Sequence, residues 1–354
     1  MFASDLIRAL QPFDVEQHVA VLHECGSNTI AYDAPTVVLG NGGIRMPGIR
    51  VDLRIVRSLR GVVRDWPVDV IHAHGGEPLK YATLARYPRH TPILYRRIAE
   101  AAKEIRTGMR LQAYRRLMRS ADSIVAVAEA IRAETITTFG LDADDVVTIP
   151  RGVDPSRLVP GAGRESTRDQ LGIQPEDPVV LSLGALSWEK DPLAHLEASA
   201  LLSRRLPRVH HLFAGDGPLR EVMLSNIRTS GRSDGVTLLG TRADVADLMS
   251  AADVLLLASR TEGMPGVVIE AGLAGIPVVA FGVAGVNEVL VDGVTGFIVT
   301  PGDTLGLAEG MAAVLEDEGR RQEMGCAARA HCLARFDIAT IAPRYLALYR
   351  EISV

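Results

Sequence analysis

Short apolar runs recur along this chain with helical stretches between them, and that alternation confines it to parallel sheets covered by helices. In the first half the strand candidates are Pro35 to Leu39, Asp69 to His72, Pro92 to Tyr95, Ser123 to Val127 and Val146 to Ile149. In the second half they are Val179 to Leu183, His210 to Ala214, Val236 to Leu238, Val254 to Ala258, Pro277 to Ala280 and Gly296 to Val299. With 354 residues there is chain enough for two domains, each with its own core. The segment Val153 to Gly172 is polar and carries Pro and Gly, so the junction is expected inside it.

Function is most legible in the stretch from Thr261 to Gly285, which sets two carboxylates, Glu262 and Glu270, around a glycine-rich helix start. Gly263 and Gly266 permit close backbone approach to a ligand, and Pro265 suits a first helical turn. Free N–H groups at that helix head would face a diphosphate. Glu270, roughly 7 Å further along the helix at about 1.5 Å per residue, would lie within reach of a ribose. Glu262, before the helix, would sit where the hydroxyls of a sugar lie. A sugar nucleotide fits that pattern.

The Glu262 and Glu270 pair, with seven residues between, resembles the two-glutamate motif of the retaining GT-B glycosyltransferases of glycosyltransferase family 4. The order of further blocks makes the match specific: VLSLGALSWEKDP (Val180 to Pro192), HLFAGDGPLR (His211 to Arg220), VTLLGTRADVADLMSAADVLLLASRTEG (Val236 to Gly263) and GVNEVLVDGVTGFIVTPGD (Gly285 to Asp303). The likeness is strong from about Ser123 to Tyr349 and weak before it. It implies an α/β GT-B architecture of two doubly wound, Rossmann-like domains facing a cleft. Residues 1–158 would bind acceptor, 159–336 would bind donor, and 337–354 would form a helix returning to the first domain.

The same resemblance implies transfer of a hexose from a nucleotide diphosphate sugar, UDP by default, to an acceptor hydroxyl, with retained anomeric configuration and without a metal. The nucleotide sugar is a co-substrate and no cofactor is expected. Lys190 matches the family lysine that holds the diphosphate, Glu262 would orient the sugar, and Glu270 would hold ribose. Gly184, Gly240, Thr241, Gly263, Met264, Pro265, Gly266 and Val267 complete the expected donor site. On the acceptor side DVIHAHGGEP resembles the family's His-x-His strand end, with His74 contacting substrate and His72 packed and hydrogen-bonded.

Several positions depart from the family pattern. Many members carry an arginine after the glycine at Gly184, where this chain has Ala185. Either Lys190 and helix N–H groups suffice, or Arg151, Arg242 or Arg260 reaches in, or catalysis is lost, leaving a protein that binds a nucleotide sugar or a partner. Each of those three arginines otherwise reads as a surface residue. Where the family often presents a histidine near the reacting sugar, this chain has Arg96 and Arg97. Arginine stays protonated and cannot act as a base, though it can stabilise phosphate or carboxylate; the alternative is an exposed helix arginine. At the start, Asp14 to Leu22 resembles the family's first helix, with Phe13 and Asp14 in place of the usual glycine pair. LGNGGIRMPG (Leu39 to Gly48) reads as a loop.

Charge is uneven. From Arg86 to Arg119 the chain has ten Lys or Arg against Glu100 and Glu104, while the whole chain is −5. Such a face suits a phosphorylated or lipid-linked acceptor or peripheral contact with an anionic membrane; the alternative is a solvated helix pair. Nucleic acid is not expected, because no binding motif accompanies the charge. No apolar stretch has membrane-spanning length, and a cytoplasmic location is expected. The three cysteines, Cys25, Cys326 and Cys332, are too scattered for a disulfide framework or zinc site, and the latter two are expected in a late helix. A nicotinamide dehydrogenase would need a Gly-x-Gly-x-x-Gly turn after a strand, which is missing. A sugar-nucleotide epimerase would share the fold but not these donor blocks.

Overall fold

A computed structural model of the chain describes residues 1–23, 31–40, 51–86, 90–100, 107–229 and 235–353. Cys25, most of the expected loop after Leu39, and residues 87–89 and 101–106 of the basic stretch lie outside the described residues. The chain divides into two compact units, Met1–Gly152 with Ile338–Val354, and Val153–Asp337. The division thus falls six residues before the expected 158/159 boundary. The segment after Gly152 belongs to the second unit because Val153 pairs with Asp337 and Arg157 bonds to Glu270.

Unit 1 opens with α1 (Phe2–Leu10), followed by β1 (Val19–Val21) and β2 (Thr36–Val38), which pair in parallel as a two-stranded sheet. Next come α2 (Leu53–Asp65), β3 (Ile71–His74), α3 (Gly76–Ala85), β4 (Ile93–Arg97), α4 (Gly108–Met118), β5 (Ser123–Ala126), α5 (Glu129–Phe139) and β6 (Val146–Thr148). Strands β3, β4, β5 and β6 lie side by side in that order, all parallel.

The start differs from the sequence expectation. Phe2, Leu6 and Leu10, four residues apart, face one core, so the helix lies there. Pro12 cannot continue it, and Asp14 to Leu22 supplies the strand β1 instead of a helix. Phe13 and Asp14 therefore follow a helix rather than precede one, and both are exposed.

Unit 2 contains α6 (Arg164–Gln170), β7 (Val179–Leu183), α7 (Pro192–Arg205), β8 (His210–Ala214), α8 (Arg220–Thr229), β9 (Val236–Gly240), α9 (Val245–Ala251) and β10 (Val254–Leu257). It continues with α10 (Gly266–Leu273), β11 (Val278–Phe281), α11 (Val286–Val289), β12 (Gly296–Val299), α12 (Thr304–Leu315) and α13 (Glu318–Phe336). The six strands are parallel, in the order β12-β11-β10-β7-β8-β9. Strands β7, β10 and β11 are buried along their whole length, which is why each reads as unbroken apolar sequence.

The last helix, α14 (Ile338–Ile352), belongs to unit 1. Ile338, Ile341, Tyr345 and Leu348 bury against Phe2, Leu6, Leu10 and Leu94. Cys326 and Cys332 both stand on α13, the first exposed and the second buried. Gly272 on α10 leaves the room that Cys332 occupies: a Cβ there would meet its Sγ at 2.4 Å.

Candidate functional site

In unit 2 the strand order reverses between β7 and β10, each followed by a crossover to the opposite side of the sheet. Ligands of open parallel sheets bind beyond the carboxyl ends of the strands at such a point. Gly184 to Lys190 follow β7 and Ala258 to Glu262 follow β10, so the sequence-selected residues meet there.

Two bonds tie the two loops, and a third ties the end of β10 to α7. Lys190 Nζ donates to Glu262 Oε1 at 2.6 Å, Arg260 N–H donates to the Glu189 carbonyl at 2.8 Å, and Ala258 N–H donates to His195 Nε2 at 2.6 Å. Ser259 Oγ donates to the same Glu262 oxygen at 2.7 Å, from a buried position. Glu262 is 9% exposed, so its carboxylate depends on these two donors for orientation. His195 accepts through Nε2, which places its proton on Nδ1. Burial, aided by the nearby Lys190 charge, pushes its pKa down to about 3 and keeps it neutral.

Helix α10 begins as the sequence suggested, with Pro265 as N-cap and no side chain capping it. Gly263, Met264, Pro265, Gly266 and Val267 form this head, where the first amides are not yet engaged in the helix ladder. The loop is pressed from behind by Gly285, where a Cβ would lie 1.8 Å from the Gly263 carbonyl oxygen. Gly240 ends β9, an edge strand two places from β7, with φ +68°, and Thr241 beside it is exposed.

Of the arginines proposed to offset Ala185, the two in unit 2 are engaged in internal ion pairs. Arg242 is held by Asp244. Arg260 pairs with Asp191 at 2.6 Å and lies 5.1 Å over the Trp188 ring. Arg151 belongs to unit 1. Arg157, which the sequence reading passed over, instead brings its Nη2 to 3.5 Å from Glu270 Oε1, with both side chains mostly buried. It stands in a short 3-10 turn, Pro155–Leu158, started by the Asp154 side chain accepting from Ser156 N–H. The only sequence hint was that Asp-Pro-Ser turn signal.

In unit 1, β3 and β4 both run two residues further than expected, so His74 and Arg96 are paired positions on neighbouring strands. His72 is packed and hydrogen-bonded as expected, with Nδ1 2.7 Å from Tyr349 Oη. His74 stacks on His72 at 3.9 Å between ring centroids and meets Phe2 edge-on at 6.0 Å. Its pKa is pushed down to about 3 by burial and then by the Arg96 charge. Arg96 and Arg97 are buried strand residues, which corrects the reading of an exposed helix arginine. Arg97 pairs internally with Glu134 at 2.7 Å and covers the Phe139 ring.

Most of the described basic residues of the Arg86 to Arg119 stretch are engaged inside unit 1. Arg86 bonds to Asp122 and the Ser120 carbonyl, Arg115 to the Thr138 carbonyl, and Arg119 to the Gly140 carbonyl. Arg110 and Arg116 remain exposed on α4. No helix of the described residues is long and apolar enough to cross a membrane, and no group of three or more His, Cys, Asp or Glu among them is placed to hold a metal ion.

Parallel sheets in two Rossmann-like units, with a charged cluster at the switch point of the second, define a GT-B glycosyltransferase fold. The chain belongs to the family 4, group 1 glycosyltransferases: the pattern "Glycosyltransferase Family 4" matches residues 1–157 and "Glycosyl transferases group 1" matches residues 163–331. A D-inositol 3-phosphate glycosyltransferase of Nocardia farcinica is 30% identical over 276 residues, which are 75% of this chain and 58% of that one. The chain thus spans under three fifths of that relative's length. Among solved structures, Anabaena Alr3699/HepE in complex with UDP and glucose superposes with a TM-score of 0.84 at 24% identity, covering 97% of this chain and 94% of that one. The sucrose-phosphate synthase of Thermosynechococcus elongatus gives 0.85 at 21% identity, covering 99% and 92%. At such identities the likeness carries the fold.

Proposed function

We propose that this chain transfers a hexose from a nucleoside diphosphate sugar to an acceptor hydroxyl, with retention and without a metal. The observation that carries this is the meeting of Lys190, Glu262 and Ser259 beside the uncapped head of α10. The helix head supplies amide donors and a positive dipole end to the pyrophosphate. Lys190, now held by Glu262, exchanges that carboxylate for the donor's phosphate and stabilises charge on the leaving nucleotide. Glu262, kept in place by Ser259, is then free to accept from sugar hydroxyls, while Glu270 accepts from ribose. UDP is the first nucleotide to test, since it is the one in the Anabaena structure.

Unit 1 receives the acceptor, a saccharide or a lipid-linked or phosphate-bearing hydroxyl compound, at the strand ends that hold His74 and Arg96. Among the described residues, peripheral contact with an anionic membrane rests on Arg110 and Arg116. A second reading, binding without transfer, draws on Ala185, which leaves the helix head with one side-chain cation fewer than the family pattern. A panel of activated sugars separates the two. Release of nucleotide diphosphate should be seen with one donor and be lost in Lys190→Ala and Glu270→Ala. Binding without release would favour the second reading, and release that needs magnesium or survives both substitutions would overturn the site.

A further inference from the structure

Arg96 is 6% exposed, yet among the described residues no carboxylate pairs with it. Its partners are neutral: Nε donates to Tyr345 Oη at 3.2 Å, and the guanidinium lies 3.7 Å over the Phe2 ring. Another cation, Arg151, adds to burial in lowering its pKa. A guanidinium held this way has surrendered most of its hydration without an anion in return, where methionine or leucine would pack beside Leu94 at no such cost. Arg97, its neighbour, shows the ordinary solution, an internal ion pair with Glu134.

The surroundings of Arg96 are those of an anion site. Its two Nη groups have no hydrogen-bond partner among the described residues. His74 stands opposite on β3, and Phe2 touches both residues, so they share one face of the sheet. Gly75 N–H donates to the Arg96 carbonyl at 3.1 Å, which sets the head of the ten-residue helix α3 beside this strand end. The residues there, Gly75 with φ +104° and then Gly76, bring no side chain to cover it. His72 Nε2 is a further buried atom without a partner among the described residues.

We propose that Arg96, with His74 and the head of α3, receives the phosphate monoester of a phosphorylated acceptor. This rests on the reading of unit 1 as the acceptor-binding half. A planar guanidinium offers two parallel donors to phosphate, and a second arginine nearby favours a dianion over a single carboxylate charge.

The test compares wild type with Arg96→Met and Arg96→Lys, first by thermal unfolding in inorganic phosphate against sodium chloride at equal ionic strength. Phosphate should raise the wild-type midpoint above chloride. Arg96→Met should fold as stably as wild type in chloride and lose at least part of that increment, since any phosphate held at the α10 head contributes equally to both proteins. Arg96→Lys should keep a fraction of it. In transfer assays, each acceptor is offered as the free sugar, its phosphate and its carboxylate analogue. Wild type should prefer the phosphate by roughly 10- to 100-fold in kcat/KM, and Arg96→Met should erase the preference. An equal response to phosphate and chloride, an increment that Arg96→Met retains in full, or a carboxylate preferred to phosphate would overturn the assignment. Absence of any nucleotide release would instead remove the transfer reading, while the phosphate increment is judged separately.

Discussion

The two units handle buried charge in opposite ways. In unit 2 three cations around the switch point are matched by acids: Lys190 by Glu262, Arg157 by Glu270 and Arg260 by Asp191. In unit 1 the strand end holds Arg96 against a phenol and a benzene ring. A matched pair is stable without ligand and can exchange partners when one arrives, which is what the proposed exchange of Glu262 for a pyrophosphate at Lys190 requires. An unmatched cation is stabilised by the ligand itself. Both units also keep a histidine neutral by burial beside a cation, His74 next to Arg96 and His195 next to Lys190.

The comparison breaks most decisively at Glu262. Replacing it with Gln should leave the fold intact and lower kcat by about a hundredfold, because an amide neither counters Lys190 nor accepts from sugar hydroxyls as a carboxylate does. Steady-state kinetics checks this, and an unchanged kcat would mean that the pair with Lys190 is only a surface tie. Arg157→Ala comes next. Freed of its partner, Glu270 would lie closer in charge to the bound diphosphate and lose its orientation, so nucleotide affinity measured by calorimetry should fall roughly tenfold. An affinity that rose would show that Arg157 blocks the site rather than orders it.

The effect that is smallest at neutral pH concerns the neutral histidines. The folded-state pKa of His195, about 3, lies below its unfolded value near 6.5. Its contribution to stability is therefore complete above pH 6.5 and is lost as pH falls toward 3, on the order of 1 kcal/mol per pH unit. His195→Gln, which can still accept from Ala258 N–H, should flatten the acid side of a urea-unfolding series. An acid dependence identical to wild type would show that His195 gains a proton without opening the fold.

Strand positions in both units were legible because buried parallel strands are continuous apolar runs, and β7, β10 and β11 are buried end to end. The head of α10 was legible for a related reason, since glycine and proline there announce their backbone roles locally. The first helix was misplaced because the family pattern was laid over Asp14 to Leu22, whereas Phe2, Leu6 and Leu10 have a core to face and Pro12 stops the helix. Arg96 and Arg97 were taken for a strand's aftermath, and pairing with β3 and β5 carries the strand through them.

By itself, then, the sequence determined the strand–helix alternation, the ordered donor blocks and the two glutamates flanking a helix start, all properties of residues close together in the chain. Tertiary structure alone decided that Arg157 reaches Glu270 across 113 residues and that Lys190 reaches Glu262 across 72. It alone decided which of two adjacent arginines finds an acid. Charge pairing depends on distance in space, and strand order, which no local spacing encodes, sets those distances.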